Sequence, residues 1–260
     1  MKSLTIDAGN SQIAVVAYDG ARRLNGTRLW THPLPASEII ARACQELISS
    51  VGWERREVSL CVSCVVPTLE LTLRRTSKLL TPRRFHWVSW DSPHPFRASE
   101  SARQEIGADL IAGLMGAREF GRQPLVVVDC GTATTLTVVD SSNYILGVAI
   151  LPGLETQLKS LTQSAPHLPQ EVSLHPPSYP YGNDTHEALQ SGILYGHAGA
   201  VEGLLARYRT LFPQEKLTVL GCGGLFHRIS SLCPSVELSE TELVNLGCRM
   251  LLTQLGEEGF

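Results

Sequence analysis

No uncharged apolar run in the 260 residues approaches the ~18 needed to cross a bilayer, and the start, MKSLTID, has an acid where a secretory signal would be apolar. No membrane association is expected, and the reading is cytoplasmic. Basic charge is scarce too: 22 Lys and Arg against 25 Asp and Glu leave a net charge of −3 with no clustered stripe. Such a surface does not attract a phosphate backbone, so nucleic acid is not an expected partner. A second CxxC is also missing. Cys61 and Cys64 form one such pair, but within the strand-like SLCVSCVVP two residues three apart point to opposite faces. With Cys44, Cys130, Cys222, Cys233 and Cys248 they make an odd set of seven in a chain too long to need staples, which reads as reduced core thiols.

What is present is a chain with 43% hydrophobic residues, ample for a buried core, and an internal echo. Residues 4–18, LTIDAGNSQIAVVAY, run as apolar strand, Asp-x-Gly turn and alternating strand, and residues 126–140, VVVDCGTATTLTVVD, do so again 122 residues later. Two similar α/β halves are expected, over 1–122 and 123–260.

Helical spacing of Ile39, Ile40, Ala43, Leu47 and Ile48 predicts a helix over 36–51, followed by a strand that ends at Pro67. A second helix is predicted over 105–120, feeding the strand PLVVVDCG. Prolines 166, 169, 176, 177 and 180 make 165–183 an irregular excursion. A long helix follows from Thr185, capped at Asp184 or Thr185, with Gly192, Gly196, Gly199 and Gly203 along one face. Each glycine costs up to about 1 kcal/mol inside a helix, so this face needs a close partner, from within the chain or from a second subunit. A strand ending in the Gly221–Gly224 turn and a closing helix complete the pattern.

A buried strand that ends in Asp-x-Gly lets main-chain amides approach an anion, while the carboxylate can hold a hydrated metal ion. Alone, Asp-x-Gly is also a common hairpin turn. Paired at the start of each half, Asp7-Ala8-Gly9-Asn10-Ser11 and Asp129-Cys130-Gly131-Thr132 point to polyphosphate binding, to which the hydroxyls of Thr132, Thr134 and Thr135 add donors.

The set DAGNS (7–11), SCVVP (63–67), GAD (107–109), DCGTATT (129–135), GVAILPGL (147–154), NDTHEALQSGILYG (183–196) and GCGG (221–224) resembles the type III pantothenate kinases in order and spacing along almost the whole chain. That resemblance implies two ribonuclease-H-like halves of the actin-like ATPase and sugar kinase superfamily with ATP between them, usually as a homodimer. It implies ATP-dependent phosphorylation of pantothenate to 4′-phosphopantothenate, the first step of coenzyme A biosynthesis. Carried over, it puts Asp7, Ala8, Gly9, Asn10, Ser11, Gln12, Ile13 and Ala14 on ATP, with Asp7 near magnesium through water. Gly131, Thr132 and Gly223 join the nucleotide site, and Asp129 helps hold a monovalent cation, potassium or ammonium. Asp109 becomes the proton acceptor, Gly107, Ala108 and Leu110 line the acceptor, and Thr185 is a substrate contact given across the dimer.

One departure concerns the acceptor. The family motif usually continues with Arg, which can pair with the pantothenate carboxylate, but this chain has Leu110, and residues 96–106 lack the usual Tyr and Asn-Pro. Arg103 would restore the charge if a helix starting early put it on the face of Gly107. The alternatives are a different small hydroxyl substrate, or a nucleotide-binding protein without transfer.

Overall fold

The echoing segments form matched hairpins whose strands are rich in β-branched residues and buried on both faces, while the Asp-x-Gly positions turn the chain. In the computed structural model, which describes residues 1–121 and 123–257, β1 (Lys2–Ala8) pairs antiparallel with β2 (Gln12–Asp19), Asp7 opposite Ala14. In the same way β6 (Leu125–Cys130) pairs with β7 (Ala133–Val139), Asp129 opposite Thr135. Arg122, at the expected boundary between halves, lies outside the described residues, as do residues 258–260.

Each hairpin sits within a five-stranded sheet. The first has the order β3-β2-β1-β4-β5, with β3 at Arg22–Trp30, β4 at Ser59–Cys64 and β5 at Arg84–Trp87. The second has the order β8-β7-β6-β9-β10, with β8 at Ile145–Pro152, β9 at Thr218–Cys222 and β10 at Leu238–Ser239. β1 runs parallel to β4, and β6 runs parallel to β9. The topology is therefore one plan used twice, as the echo predicts.

The chain divides into two units, Met1–Glu119 with the segment from Leu243 onward, and Phe120–Glu242. In the first, α1 (Ser37–Ser50) and α2 (Glu70–Leu80) join one core with the sheet side chains Leu4, Ile6, Ile13, Val15, Leu60 and Val62. The expected helix over 105–120 is two helices, α3 (Glu100–Glu105) and α4 (Ala108–Ala117). Ile106 and Gly107 are extended between them, with ψ of 116° and 157°, because Gly107 leaves the helical region to become the N-cap of α4.

The closing helix, α7 (Leu243–Glu257), falls in the second half by sequence order but packs in the first unit. Helical periodicity shows that a helix has an apolar face; it does not say which sheet that face covers. Here the choice is made by shape and polarity. A side chain at Gly247 would collide with the Ala112 carbonyl, so α4 and α7 cross backbone to backbone. Buried Asn245 donates its amide to Thr5 Oγ1 at 3.0 Å and to the Thr5 and Ala14 carbonyls at 3.3 Å, tying α7 to the first hairpin. Arg249, 6% exposed, pairs with Glu119 at the end of the unit.

In the second unit, α5 (Leu154–Ser164) and α6 (Thr185–Arg209) share one core with Val126, Val128, Leu136, Val138 and Val219. Residues 165–184 between them contain no helix or strand, as their prolines predict. No helix among the described residues is long and apolar enough to cross a membrane.

The crossing at Gly247 can be tested by Gly247→Val, which adds atoms where backbone already lies. We expect a urea unfolding loss of about 3 kcal/mol or more, since rigid backbone cannot give way as a flexible side chain can. A change under about 0.5 kcal/mol would show that α7 does not dock through this contact.

Candidate functional site

In the first unit the tip of the β1–β2 hairpin is a tight turn, closed by the Gly9 N–H donating to the Gln12 carbonyl at 3.0 Å. Asn10 and Ser11 are exposed, and Asp7 is half-buried at the end of its strand. The carbonyls of this tip are held from behind. Thr31, fully buried just after β3, donates its hydroxyl to the Gly9 carbonyl at 2.7 Å and its N–H to the Ser11 carbonyl at 3.0 Å. Of the eight residues assigned to ATP here, Ile13 points into the core at 0% exposure, so only its backbone can serve a ligand. Gln12 Oε1 accepts from Arg28 at 3.3 Å.

The Val65 N–H donates to the Ala8 carbonyl at 3.2 Å, so the chain leaving β4 lies beside this hairpin. Val65 also approaches the start of α4, lying 3.5 Å from where a Cβ on Gly107 would sit. That same Cβ would be 2.6 Å from Asp109 Oδ1. Gly107 therefore keeps open the space that the Asp109 carboxylate occupies. Asp109 Oδ1 accepts the Leu110 N–H at 2.7 Å, in the first turn of α4, where the helix dipole favours a negative charge. Burial dominates all the same and raises its pKa above the ordinary carboxylate value.

Arg103 does not take the place of the missing cation. It lies on α3, across the Ile106–Gly107 break from α4, so the two do not share a helix face. Its guanidinium donates to the Ala98 carbonyl at 3.2 Å and lies 5.4 Å from the Trp90 ring centre, a cation–π contact.

In the second unit the β6–β7 tip is closed by the Gly131 N–H donating to the Ala133 carbonyl at 2.9 Å, with Thr132 exposed. Its carbonyls are also held from behind. The Thr132 carbonyl accepts the Gly153 N–H at 3.0 Å and the Thr156 hydroxyl at 2.7 Å, both at the start of α5. The Cys130 carbonyl accepts the Leu225 N–H at 3.0 Å. Gly223, with φ of +86°, presses its Cα against Asp129: an added Cβ would collide with Asp129 Oδ1 and come 2.5 Å from the Cys130 carbonyl. The GCGG turn thus lies against the Asp129 end of this hairpin.

Thr185 is the first residue of α6 and is exposed. Its helix is capped by Asp184, which accepts the Glu187 N–H at 2.8 Å, while Glu187 accepts the Asn183 N–H at 2.9 Å. Sequence reasoning misses Thr31, Thr156 and Gly153 as supports of the two tips. Only Gly153, following Pro152 at the end of an apolar strand, carries a local signal, that of a helix start.

The donor set can be tested against the metal ions that kinases of ATP use. Among the described residues no cluster of three or more His, Cys, Asp and Glu side chains could hold a metal. Magnesium suits such isolated carboxylates, since it keeps several waters and takes its other ligands from phosphates. Asp7 fits that role. Gly223 packs directly against the Asp129 carboxylate and the Cys130 carbonyl. The thiols are not candidates. All seven are free, and burial pushes Cys44, Cys130 and Cys233 up to about 12, so they stay protonated at neutral pH.

A raised Asp109 pKa means that, between its unfolded and folded values, the native chain binds more protons than the unfolded chain. Its contribution to stability therefore falls as pH rises through that window. Asp109→Asn removes the buried charge, so its urea midpoint should exceed the parent's at neutral pH, and the two should converge below the ordinary carboxylate range. Equal midpoints at neutral pH would contradict a burial cost at Asp109.

A family profile described as type III pantothenate kinase matches residues 3–207. A type III pantothenate kinase from Gluconobacter oxydans is 33% identical over 260 residues, covering 95% of this chain and 92% of the relative. One from Rubrobacter xylanophilus is 28% identical over 253 residues, covering 95% and 96%. Among solved structures, the activator of the 2-hydroxyisocaproyl-CoA dehydratase from Clostridium difficile, with bound ADPNP, aligns with a TM-score of 0.58 at 13% identity, covering 99% of this chain and 96% of that one. The ROK hexokinase from Thermus thermophilus aligns with a TM-score of 0.52 at 13% identity over all of both chains. These two likenesses establish the actin-like ATPase and sugar kinase fold, twice-repeated sheet included. With the profile spanning both hairpins, the glycine-acid turn and most of α6, the chain belongs to the type III pantothenate kinase family.

Proposed function

We propose that the protein transfers the γ-phosphoryl group of ATP to the primary hydroxyl of pantothenate, giving 4′-phosphopantothenate for coenzyme A synthesis in the cytoplasm. The observation that carries the chemistry is Asp109: a half-buried carboxylate at a helix start, with its space kept by Gly107 and its Oδ1 fixed by the Leu110 N–H. Oδ2 then receives the hydroxyl proton. A pKa raised by burial makes the carboxylate a stronger proton acceptor than a solvated one. Because the transition state of phosphoryl transfer is loose, positioning and charge neutralisation supply most of the rate.

At the Asp7–Ala14 and Gly131–Thr132 tips the Gly9 and Gly131 N–H groups close the turns, so the exposed Asn10, Ser11 and Thr132 would face phosphate oxygens, with Gly223 completing the second. Asp7 would hold magnesium through water, and Asp129 with the Cys130 carbonyl would hold potassium or ammonium. These ions supply positive charge against the phosphates. Seven cysteines outside any disulfide suit a reducing compartment.

A homodimer is part of this reading. Gly192, Gly196 and Gly199 are exposed on α6, and added Cβ atoms there would meet nothing within 4 Å among the described residues. No intrachain packing offsets the helix cost of these three glycines, which leaves a second copy as the close partner. Thr185 on the same helix then serves the substrate across the dimer. Gly196→Leu should therefore raise the helicity of the isolated subunit while shifting the protein to monomer in sedimentation equilibrium; an unchanged dimer would place the interface elsewhere.

A second reading is favoured by one region. Leu110 offers no charge, and Arg103 faces Ala98 and Trp90, which suits an acceptor alcohol without a carboxylate. The two readings separate on turnover. With ATP, magnesium and potassium, the first expects pantothenate phosphorylation that Asp109→Asn abolishes. Leu110→Arg should then lower the KM for pantothenate by about tenfold or more, the worth of one charge-assisted hydrogen bond, with the KM for ATP unchanged. ATP consumption only with an uncharged alcohol supports the second. Nucleotide-dependent stabilisation without phosphate release from any mixture refutes both.

A further inference from the structure

Thr134, whose hydroxyl the sequence offers as a phosphate donor, is instead fully buried in a polar chain behind the second hairpin tip. His197, on the inner face of α6 and 2% exposed, places Nδ1 2.6 Å from Gln157 Nε2 and Nε2 3.0 Å from Thr134 Oγ1. Gln157 Nε2 is also 2.8 Å from the Pro152 carbonyl, which can only accept. That contact identifies the amide nitrogen as the donor, so its second N–H points at His197 Nδ1, which must accept. The imidazole is then neutral with its proton on Nε2, and it donates to the Thr134 hydroxyl. Thr134 in turn hydrogen-bonds the Cys130 thiol. Burial lowers the His197 pKa, in keeping with a neutral ring.

Three elements meet at this ring. Gln157 belongs to α5, whose first turn holds the Thr132 carbonyl through Gly153 and Thr156. Thr134 is fully buried and pairs with Cys130 across the hairpin, closing the tip formed by Gly131, Thr132 and Ala133. His197 lies on the helix that begins at Thr185. Both ring nitrogens are thus satisfied, and their partners link the tip to both helices behind it.

We propose that His197 is a positioning residue for nucleotide binding: as the Nε2–H tautomer set by Gln157, it fixes Thr134 and with it the Gly131–Ala133 tip. The role rests on the reading that this tip holds ATP phosphates. It acts through another residue, so its signature is a defect confined to the nucleotide.

The test compares His197→Leu, His197→Gln and Thr134→Val in the full-length protein, with ATP and pantothenate varied separately. Glutamine can place an amide nitrogen near the imidazole Nε2 and so preserve the donation. We expect His197→Leu and Thr134→Val each to raise the KM for ATP by about tenfold, the worth of one buried hydrogen bond, with the KM for pantothenate within about twofold. His197→Gln should stay within about threefold of the parent for ATP, and the Leu/Val double variant should be no worse than either single one. Should His197→Leu fail to fold, Thr134→Val, which loses only a hydroxyl, and the ¹⁵N shifts of His197 in the unaltered protein decide the matter. A protonated Nδ1, or a Thr134→Val variant that keeps its KM for ATP or raises both KM values alike, overturns the proposal. If the parent turns over ATP normally while Thr134→Val is silent, His197 alone loses its role. A parent that neither binds nor consumes ATP refutes the reading of the tip, and the nucleotide role of His197 falls with it.

Discussion

Main-chain N–H groups can hold an anion only where the neighbouring carbonyls are satisfied elsewhere, since a carbonyl turned toward a phosphate repels it. Both hairpin tips meet this condition. At the first, Thr31 takes the Gly9 and Ser11 carbonyls; at the second, Gly153, Thr156 and Leu225 take those of Thr132 and Cys130. The tips are thereby held from the protein side, by buried Thr31 in the first unit and by Gly153, Leu225 and exposed Thr156 in the second, while the Gly9 and Gly131 N–H groups close the turns.

The parts of the fold legible in the sequence are those fixed by local pattern. Alternation around two Asp-x-Gly turns gives the hairpins, their 122-residue spacing gives the duplication, and prolines give the irregular stretch before α6. The docking of α7 is not local. It depends on Gly247 fitting against Ala112 and on Asn245 reaching Thr5, contacts far apart along the chain. The break between α3 and α4 is a nearer miss: the apolar pattern runs through Ile106, and the extended Ile106–Gly107 step, with Gly107 as the N-cap of α4, is not marked in that pattern. The candidate site divides in the same way. Asp7, Asp109, Asp129 and Gly223 stand in recognisable motifs, whereas Thr31 and Thr156 are solitary threonines whose purpose appears only when the chain folds back on itself.

Burial raises the pKa of both kinds of acidic group in the molecule, with different consequences. Burial pushes the Cys130 and Cys233 thiols up to about 12, so the cysteine of the second hairpin stays protonated and is a packing group. Asp109 is only half-buried, and the Leu110 N–H and the start of α4 return part of what desolvation takes away. A deeper carboxylate would stay protonated and could not accept a proton; a fully solvated one would be a weaker base and poorly aimed. The half-buried position at a helix N-terminus lies between these limits, and Gly107 is the residue that permits it.

The duplication has kept a backbone contact while replacing the side chains around it. Thr31 is the first residue after β3 and Gly153 the first after β8, equivalent places in the two sheets, and each donates its N–H to a hairpin-tip carbonyl at 3.0 Å, Ser11 in one unit and Thr132 in the other. The hydroxyl that assists comes from Thr31 itself in the first unit and from Thr156, three residues further on, in the second. In the second unit the chain enters a helix directly after this contact, so Gly153 serves both as N-cap and as a residue small enough to lie against the tip. In the first it passes through Leu34 and Pro35 before α1 begins. What the two halves hold in common is thus the constraint on the carbonyls, and each meets it with the residues its own third strand delivers.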